Sequence, residues 1–263
     1  MTIAALVARD VVLVRGADAT SFLQGQLSQD VAGLEVGQSA FSLLLQPQGK
    51  VDAWLRVTRI SEGEFALDVD AGWGEHVHAR LKRFLLRVKV ELEAVDWSVV
   101  AVVDGEAPVP DGAWKVTPEL PGRGFDLLGP GIGLPEGAEA ADDYELRRIR
   151  AGVPRMGSEL DESTIPASAG IVDRSVSFTK GCYTGQELVA RIDSRGDRVP
   201  TKLRRITGDV PAGATLHDDD REIGRVTSAA PGVALGYVRR DVELPADAVA
   251  RWDGGEAAVR IDA

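Results

Sequence analysis

The residues best suited to chemistry lie in one short segment, residues 180–187, which reads KGCYTGQE. It holds the only cysteine of the chain, Cys182, two residues after Lys180 and just before a predicted helix. A nearby lysine and a helix N-terminus both lower the pKa of a cysteine and favour its thiolate. The segment therefore predicts a reactive thiol, and the alternative is a structural cysteine among turn residues.

The residues around this cysteine favour close contact with a ligand. Gly181 and Gly185 allow the backbone to adopt positive φ or to approach a bound molecule closely. Gln186 and Glu187 place polar acceptors in the first turn of the predicted helix. This density of ligand-binding residue types favours a binding site over a plain turn.

The composition limits the classes of protein that the chain can be. Its 263 residues suit one large domain or two, and a hydrophobic share of 44% allows a packed core. One cysteine excludes an internal disulfide and cannot by itself hold zinc or an iron–sulfur cluster, so no metal site is expected. No uncharged apolar run is long enough to span a membrane, and Arg9 and Asp10 interrupt the N-terminus too early for a signal peptide. We expect a cytoplasmic protein that does not bind a membrane.

The formal net charge of −11 argues against a nucleic-acid partner, because non-specific binding to nucleic acid depends on neutralising phosphates. An anionic small ligand would need a local basic pocket. The candidates are arginines around one predicted helix: Arg147, Arg148, Arg150 and Arg155. Such side chains can clamp a carboxylate, but acidic neighbours on the same helix could also pair with them locally.

Periodicity predicts strands and helices along the first half of the chain. Residues 1–15 predict a hairpin, and Asp18 precedes a helix over residues 19–30. Residues 39–46, 50–60 and 65–70 predict an antiparallel meander with a PQGK turn. Residues 73–87 predict an amphipathic helix. Basic residues within this helix and just after it form a charged face: Arg80, Lys82, Arg83, Arg87 and Lys89.

The second half predicts two helices followed by a small all-β domain. A helix over residues 139–151 should end at Gly152, and another should begin near Gly185, with Thr184 available to cap it. From Val199 onward, six short apolar runs bounded by Gly, Pro or Asp predict a β-barrel or sandwich. We therefore expect a domain boundary near residues 195–200.

The segment KGCYTGQE resembles the signature of the YgfZ family, the folate-binding relatives of the glycine-cleavage T-protein (aminomethyltransferase). Further stretches resemble that family in the same order along the chain and together cover most of it. They are residues 17–30, 42–57, 144–160, 164–170 and 224–240.

The resemblance implies an α+β fold with a T-protein-like, three-lobed arrangement. Residues 1–196 would form a folate-binding region of two interleaved mixed α/β lobes, and residues 197–263 a small C-terminal β-barrel. It also implies a tetrahydrofolate-binding accessory protein for assembly or repair of iron–sulfur enzymes. Partners would be a folate, iron–sulfur enzymes and cluster assembly proteins, and the protein itself need not hold a cluster.

The resemblance also implies a set of site residues. Cys182 and Asp52 are the candidates for a catalytic role. The folate-binding or signature residues would be Lys180, Gly181, Tyr183, Thr184, Gly185, Gln186, Glu187, Arg191, Gln24 and Arg148.

Two departures from the T-protein argue against true aminomethyl transfer. The T-protein has paired aspartates after its strand turn, whereas Asp52 is followed here by Ala53. Its glutamate before the Ala-Gly step corresponds to Ser168. Two alternatives stay open: a folate-dependent one-carbon transferase, and a non-catalytic folate- or RNA-binding module.

Overall fold

A computed structural model describes residues 1–122, 124–196 and 198–262. The chain divides into two compact units and passes between them more than once. The first unit consists of Met1–Asp142 and Asp173–Leu188, and the second of Asp143–Val172 and Val189–Ala263. The signature segment, residues 180–187, belongs to the first unit.

The first unit is built mainly from strands, arranged in two five-stranded sheets. In chain order its strands are β1 (Ile3–Val7), β2 (Arg9–Arg15), β3 (Ser39–Leu45), β4 (Val51–Ser61), β5 (Glu64–Asp70), β6 (Glu91–Val95), β7 (Trp97–Asp104), β8 (Trp114–Val116), β9 (Phe125–Pro130) and β10 (Glu139–Ala140). One sheet has the order β10-β1-β7-β9-β8 and the other β3-β4-β5-β2-β6. The predicted meander is confirmed as β3, β4 and β5.

The predicted hairpin over residues 1–15 is wrong, although both of its strands exist. β1 pairs with β7 and β10, whereas β2 pairs with β5 and β6 in the other sheet. Only Ala8 separates the two strands. A single residue is too short to reverse the chain into a hairpin, so the backbone continues from one sheet into the other.

The helices of the chain are short. They are α1 (Ala19–Gln26), α2 (Gly74–Lys82), α3 (Tyr144–Arg150), α4 (Pro166–Ala169), α5 (Val172–Ser175) and α6 (Gln186–Asp193). α1 ends earlier than predicted, and the side chain of Asp18 makes no cap to it but accepts a hydrogen bond from the Lys89 amide at 2.7 Å.

The helix predicted over residues 73–87 is shorter than expected. α2 ends at Lys82, and the backbone of Arg87 adopts a left-handed φ of 62°, which no helix can include. Phe84 and Leu86 consequently lie outside the helix and are exposed. The expected charged face is also incomplete, because Arg80 is buried in an ion pair with Asp52.

Buried ion pairs connect the two sheets of the first unit. Arg56 on β4 donates to Asp68 on β5 and, across to the other sheet, to Asp126 on β9 at 2.6 Å. Arg9 on β2 pairs with Asp68 and with Glu119. These side chains are almost completely buried, so each charge depends on its partners for solvation.

The second unit carries a closed six-stranded barrel, which confirms the predicted C-terminal β-barrel. Its strands are β11 (Thr201–Thr207), β12 (Thr215–Asp218), β13 (Arg221–Ala230), β14 (Val233–Arg239), β15 (Ala246–Trp252) and β16 (Gly255–Ile261). The strand order is β11-β14-β13-β12-β15-β16, and β11 closes the barrel on β16. Ile206, Leu216 and Ile223 are fully buried in its core.

The helix predicted over residues 139–151 is correct only in its second half. Glu139 and Ala140 instead pair in parallel with β1, where the amide of Glu139 finds the carbonyl of Thr2. α3 starts at Tyr144, and Gly152 terminates it with a left-handed φ of 70°, as predicted.

Candidate functional site

Lys180 fixes the start of the signature segment to the end of α1. Its ammonium group donates to three backbone carbonyls: Gln24 at 2.6 Å, Leu27 at 2.6 Å and Gln29 at 3.0 Å. The last carbonyls of a helix lack partners within the helix, and a cation satisfies both their lone pairs and the negative end of the dipole. Burial lowers the pKa of Lys180 to about 8, and Asp30 acts in the opposite direction. Lys180 was expected to favour the Cys182 thiolate, but its ammonium group instead binds backbone carbonyls at and beyond the end of α1.

Two glycines hold the signature segment against the turn between β3 and β4. Gly49 and Gly185 both have positive φ, at 75° and 81°. A Cβ on Gly185 would lie 2.5 Å from the carbonyl oxygen of Gln46, and a Cβ on Gly49 would lie 2.9 Å from the carbonyl oxygen of Gly185. Only glycine allows the two backbones to approach this closely.

The middle of the signature segment is open to solvent. Gly181 and Cys182 are exposed, whereas Tyr183 and Thr184 are half-buried. The ring of Tyr183 lies 5.1 Å from the ammonium nitrogen of Lys180, and burial raises the pKa of its hydroxyl to about 12. Cys182 is thus an accessible thiol beside a neutral phenol, not the buried structural cysteine of the alternative interpretation.

The side chain of Gln186 stabilises the C-terminal end of the signature segment. The Tyr183 amide donates to Oε1 of Gln186 at 3.0 Å, three residues ahead. The Thr184 amide donates to the carbonyl of Gly25 on α1 at 3.3 Å. The helix that was predicted to begin near Gly185 begins at Gln186.

A second group of polar side chains follows the same β3–β4 turn. The Asp52 cluster consists of Asp52 near the start of β4 and His76 and Arg80 on α2. One carboxylate oxygen of Asp52 lies 2.9 Å from Nε2 of His76, and the other lies 2.8 Å from Nε of Arg80. His76 and Arg80 share a helix face because they are four residues apart. The sequence predicted Asp52 as a site residue but not its contacts with His76 and Arg80.

Exposure within the Asp52 cluster is unequal. The side chains of Asp52 and Arg80 are each 8% exposed, whereas that of His76 is 33% exposed. His76 is therefore the member of the cluster that can meet a ligand. Nε2 of His76 faces the carboxylate of Asp52. This favours the imidazole tautomer that is protonated on Nε2 and leaves Nδ1 as a hydrogen-bond acceptor.

Arg80 adds an unused donor to the Asp52 cluster. Its Nη1 is buried without a hydrogen-bond partner among the described residues, while Nη2 donates to the carbonyl of Leu45 at 3.3 Å. The guanidinium also lies 4.4 Å from the ring centroid of Phe84. An orphaned buried donor fits a ligand that presents oxygen or nitrogen acceptors, as the pterin ring of a folate does.

The remaining predicted site residues lie in different places. Gln24, on α1, already uses both ends of its amide, on Asp30 at 2.8 Å and on the amide of Ala32 at 3.0 Å. Glu187 and Arg191 are exposed on α6, and Arg191 falls in the second unit.

Arg148 lies in the second unit, where it is completely buried. Its guanidinium pairs with Glu145 at 2.7 Å and Glu159 at 3.2 Å, and donates to the hydroxyl of Ser228 at 2.9 Å. Glu159 in turn accepts from Thr227 on β13. Arg148 thus connects α3 to the barrel and does not itself reach a ligand on the protein surface.

Comparison with known proteins agrees with this architecture. Residues 9–107 match the GCVT N-terminal domain, and residues 198–262 match the CAF17 C-terminal β-barrel domain. The chain carries both domains. The family resemblance found in the signature, to YgfZ and its T-protein relatives, is thereby confirmed.

The chain is also similar to individual proteins from several organisms. The chain is 31% identical over 221 residues to the mitochondrial iron–sulfur cluster assembly factor IBA57 homolog of Pyricularia oryzae, covering 73% of this chain and 54% of that protein. It is 28% identical over 288 residues to the tRNA-modifying protein YgfZ of Klebsiella pneumoniae, covering 95% and 88%. A protein of Haemophilus influenzae is 33% identical over 190 residues, with 70% of this chain and 65% of that protein covered. The chain thus spans less than two thirds of several curated relatives that it matches.

The GCVT-like fold is also found in a solved structure. The glycine cleavage system aminomethyltransferase T of Bartonella henselae superposes with a TM-score of 0.81 at 21% identity, over 100% of this chain and 85% of that one. At this identity the match establishes the fold, and the expected α+β, T-protein-like class is confirmed. Within the described residues, no helix has the length and apolar character needed to cross a membrane.

Proposed function

We propose that this protein binds a tetrahydrofolate and assists the assembly or repair of iron–sulfur enzymes. The observation that carries the proposal is the arrangement around the β3–β4 turn. There the signature segment packs through Gly185 on Gly49, and the Asp52 cluster follows directly on β4. The name of one relative, an iron–sulfur cluster assembly factor, supports a role in the assembly or repair of such enzymes.

Residues of the Asp52 cluster and of the signature segment would each have a separate role in binding the folate. His76 would contact the ligand through Nδ1, with Asp52 orienting the imidazole and Arg80 keeping the carboxylate in place. Bound tetrahydrofolate would supply a one-carbon carrier or a reducing pterin. Tyr183 would offer a neutral ring and hydroxyl beside it, and Cys182 an accessible thiol.

True aminomethyl transfer is the weaker candidate. Ala53 is completely buried and provides no second carboxylate beside Asp52, and Asp52 itself is held by His76 and Arg80. Formation of methylene-tetrahydrofolate from an aminomethyl donor by the purified protein would favour the transferase instead.

The cellular role can be tested by deleting the gene and measuring iron–sulfur enzyme activities in extracts. We expect the activity of at least one such enzyme to fall and to return with the wild-type gene. Expression of Cys182→Ala separates the two parts of the proposal, because restored activity with this variant removes the thiol from the function. Unchanged activities of all iron–sulfur enzymes in the deletion strain would refute the accessory role.

A further inference from the structure

One end of the C-terminal barrel carries a cluster of cationic side chains. β11 begins and β14 ends at this end, where Thr201 pairs with Arg239. Arg198, Arg239 and Arg240 line both of two adjoining clefts of about 470 and about 180 Å³, and Lys202 and Arg204 line the smaller one.

Most of these cations lack a counter-charge. Arg239 is neutralised by Asp241, with its Nε 3.1 Å from a carboxylate oxygen. The other four side chains make no ion pair with any residue in the described ranges: Arg198, Lys202, Arg204 and Arg240. Four uncompensated cations in one place are unexpected in a chain with a net charge of −11. Their mutual repulsion favours an anion between them.

The environment of Arg204 strengthens this argument. Its Nε is buried and has no hydrogen-bond partner among the described residues, while Nη1 reaches only the neighbouring carbonyl of Leu203 at 3.2 Å. The same cleft has an apolar floor, formed by Val238 of the barrel core and by Val242 and Leu244. A buried N–H donor beside an apolar floor binds an anion more strongly than an exposed one, because little water competes for it.

We propose that this pocket binds the phosphate group of an anionic ligand. Guanidinium and ammonium donors approach the smaller cleft from β11 and from the segments before β11 and after β14, which suits the oxygens of a phosphate better than the planar pair of a carboxylate. The larger cleft leaves room for the rest of the ligand. The pocket lies entirely in the second unit and does not depend on the proposed folate site.

Calorimetric titration with inorganic pyrophosphate tests this proposal on the full-length protein. Wild type should bind, and the double variant Lys202→Gln, Arg204→Gln should bind at least about tenfold more weakly. Because Arg204 is partly buried, a second double variant of exposed residues, Arg198→Gln with Arg240→Gln, should weaken binding as well without disturbing the barrel. The matched control is Arg205→Gln, which removes the same charge from the same strand at a position paired with Asp262.

A fluorescent single-stranded RNA identifies the source of the phosphate. RNA that binds and competes with pyrophosphate makes the ligand a nucleic-acid backbone, whereas pyrophosphate binding without RNA binding makes it a free phosphate compound. Absence of pyrophosphate and RNA binding by wild type overturns the proposal. An equal loss of affinity in the Arg205 control also overturns it. Tetrahydrofolate titrations of the same variants should be unchanged, so the result is independent of the folate proposal.

Discussion

Single residues in the first unit are governed by a buried network of arginines and carboxyl groups. Among the described residues of the network, three guanidinium groups face four carboxyl groups: Arg9, Arg56 and Arg174 against Asp68, Asp70, Glu119 and Asp126. Burial alone would raise the pKa of Asp68, but the charges of Arg56 and Arg9 outweigh it and hold that pKa below its usual range. Burial raises the pKa of Asp126 above its usual range, against the charge of Arg56. The pKa values of these two buried aspartates therefore shift in opposite directions.

The two aspartates should consequently respond differently to amide substitution. At pH 7, Asp68→Asn should lower the free energy of unfolding by about 3–5 kcal/mol, because it leaves two buried arginines without their shared carboxylate. Asp126→Asn should change it by less than about 1 kcal/mol, since both hydrogen bonds to this side chain end on one oxygen that an amide can replace. Urea denaturation followed by tryptophan fluorescence measures both values.

The free energy of unfolding should depend on pH differently for the two aspartates, Asp68 and Asp126. A group whose pKa is raised in the folded state contributes stability at low pH and loses that contribution as the pH rises through the raised pKa. The stability of Asp126→Asn relative to wild type should therefore increase as the pH rises above the ordinary pKa of an aspartate. Asp68 has a lowered pKa, so its contribution is present above its ordinary pKa and is lost only as the pH falls below it. An Asp126→Asn variant less stable than Asp68→Asn at pH 7 would contradict these opposite pKa shifts.

At the scale of elements, the site depends on close packing of two turns. The sequence predicted a turn at PQGK. It also predicted that Gly185 in KGCYTGQE could adopt positive φ. That Gly185 lies against Gly49 could not be read, because the contact joins residues far apart in the chain and depends on how residues 173–188 return to the first unit.

Gly185→Ala should therefore destabilise the first unit. The added methyl group meets the carbonyl of Gln46 in a backbone conformation that alanine avoids, and we expect a loss of about 2–3 kcal/mol in the free energy of unfolding. Gly181→Ala is the matched control, since no atom lies within 4 Å of its added Cβ and its φ is ordinary. Equal stability of the two variants in urea denaturation would show that the turns do not require this contact.

The order of elements was largely predictable, but their pairing was not. The meander and the six barrel strands follow from alternation and turn residues. The error at residues 1–15 arose because alternation indicates strands without specifying their neighbours. The end of α2 was missed because the apolar spacing continues beyond Lys82, although the helix ends there and Arg87 further on is left-handed.

At the scale of the whole molecule, the sequence predicted the family resemblance, the fold class and the barrel, and its site residues stay predictions. The signature segment identified the relatives, and the domain matches cover residues 9–107 and 198–262. The contact of His76 with Asp52 was not predicted. The two side chains lie on α2 and β4, 24 residues apart in the chain, and no local sequence pattern specifies their pairing. The proposed division at residues 196 and 197 stays a prediction.

The central claim is that the first unit binds a folate beside the Asp52 cluster, and calorimetric titration with tetrahydrofolate tests it most directly. We expect wild type to bind, and His76→Ala to bind about tenfold more weakly, because it removes the exposed member of the cluster. His78→Ala is the matched control, since it lies on the same helix and lines a different cleft with Asp10 and Trp97. Folded wild-type protein that shows no binding at high micromolar tetrahydrofolate would contradict the claim.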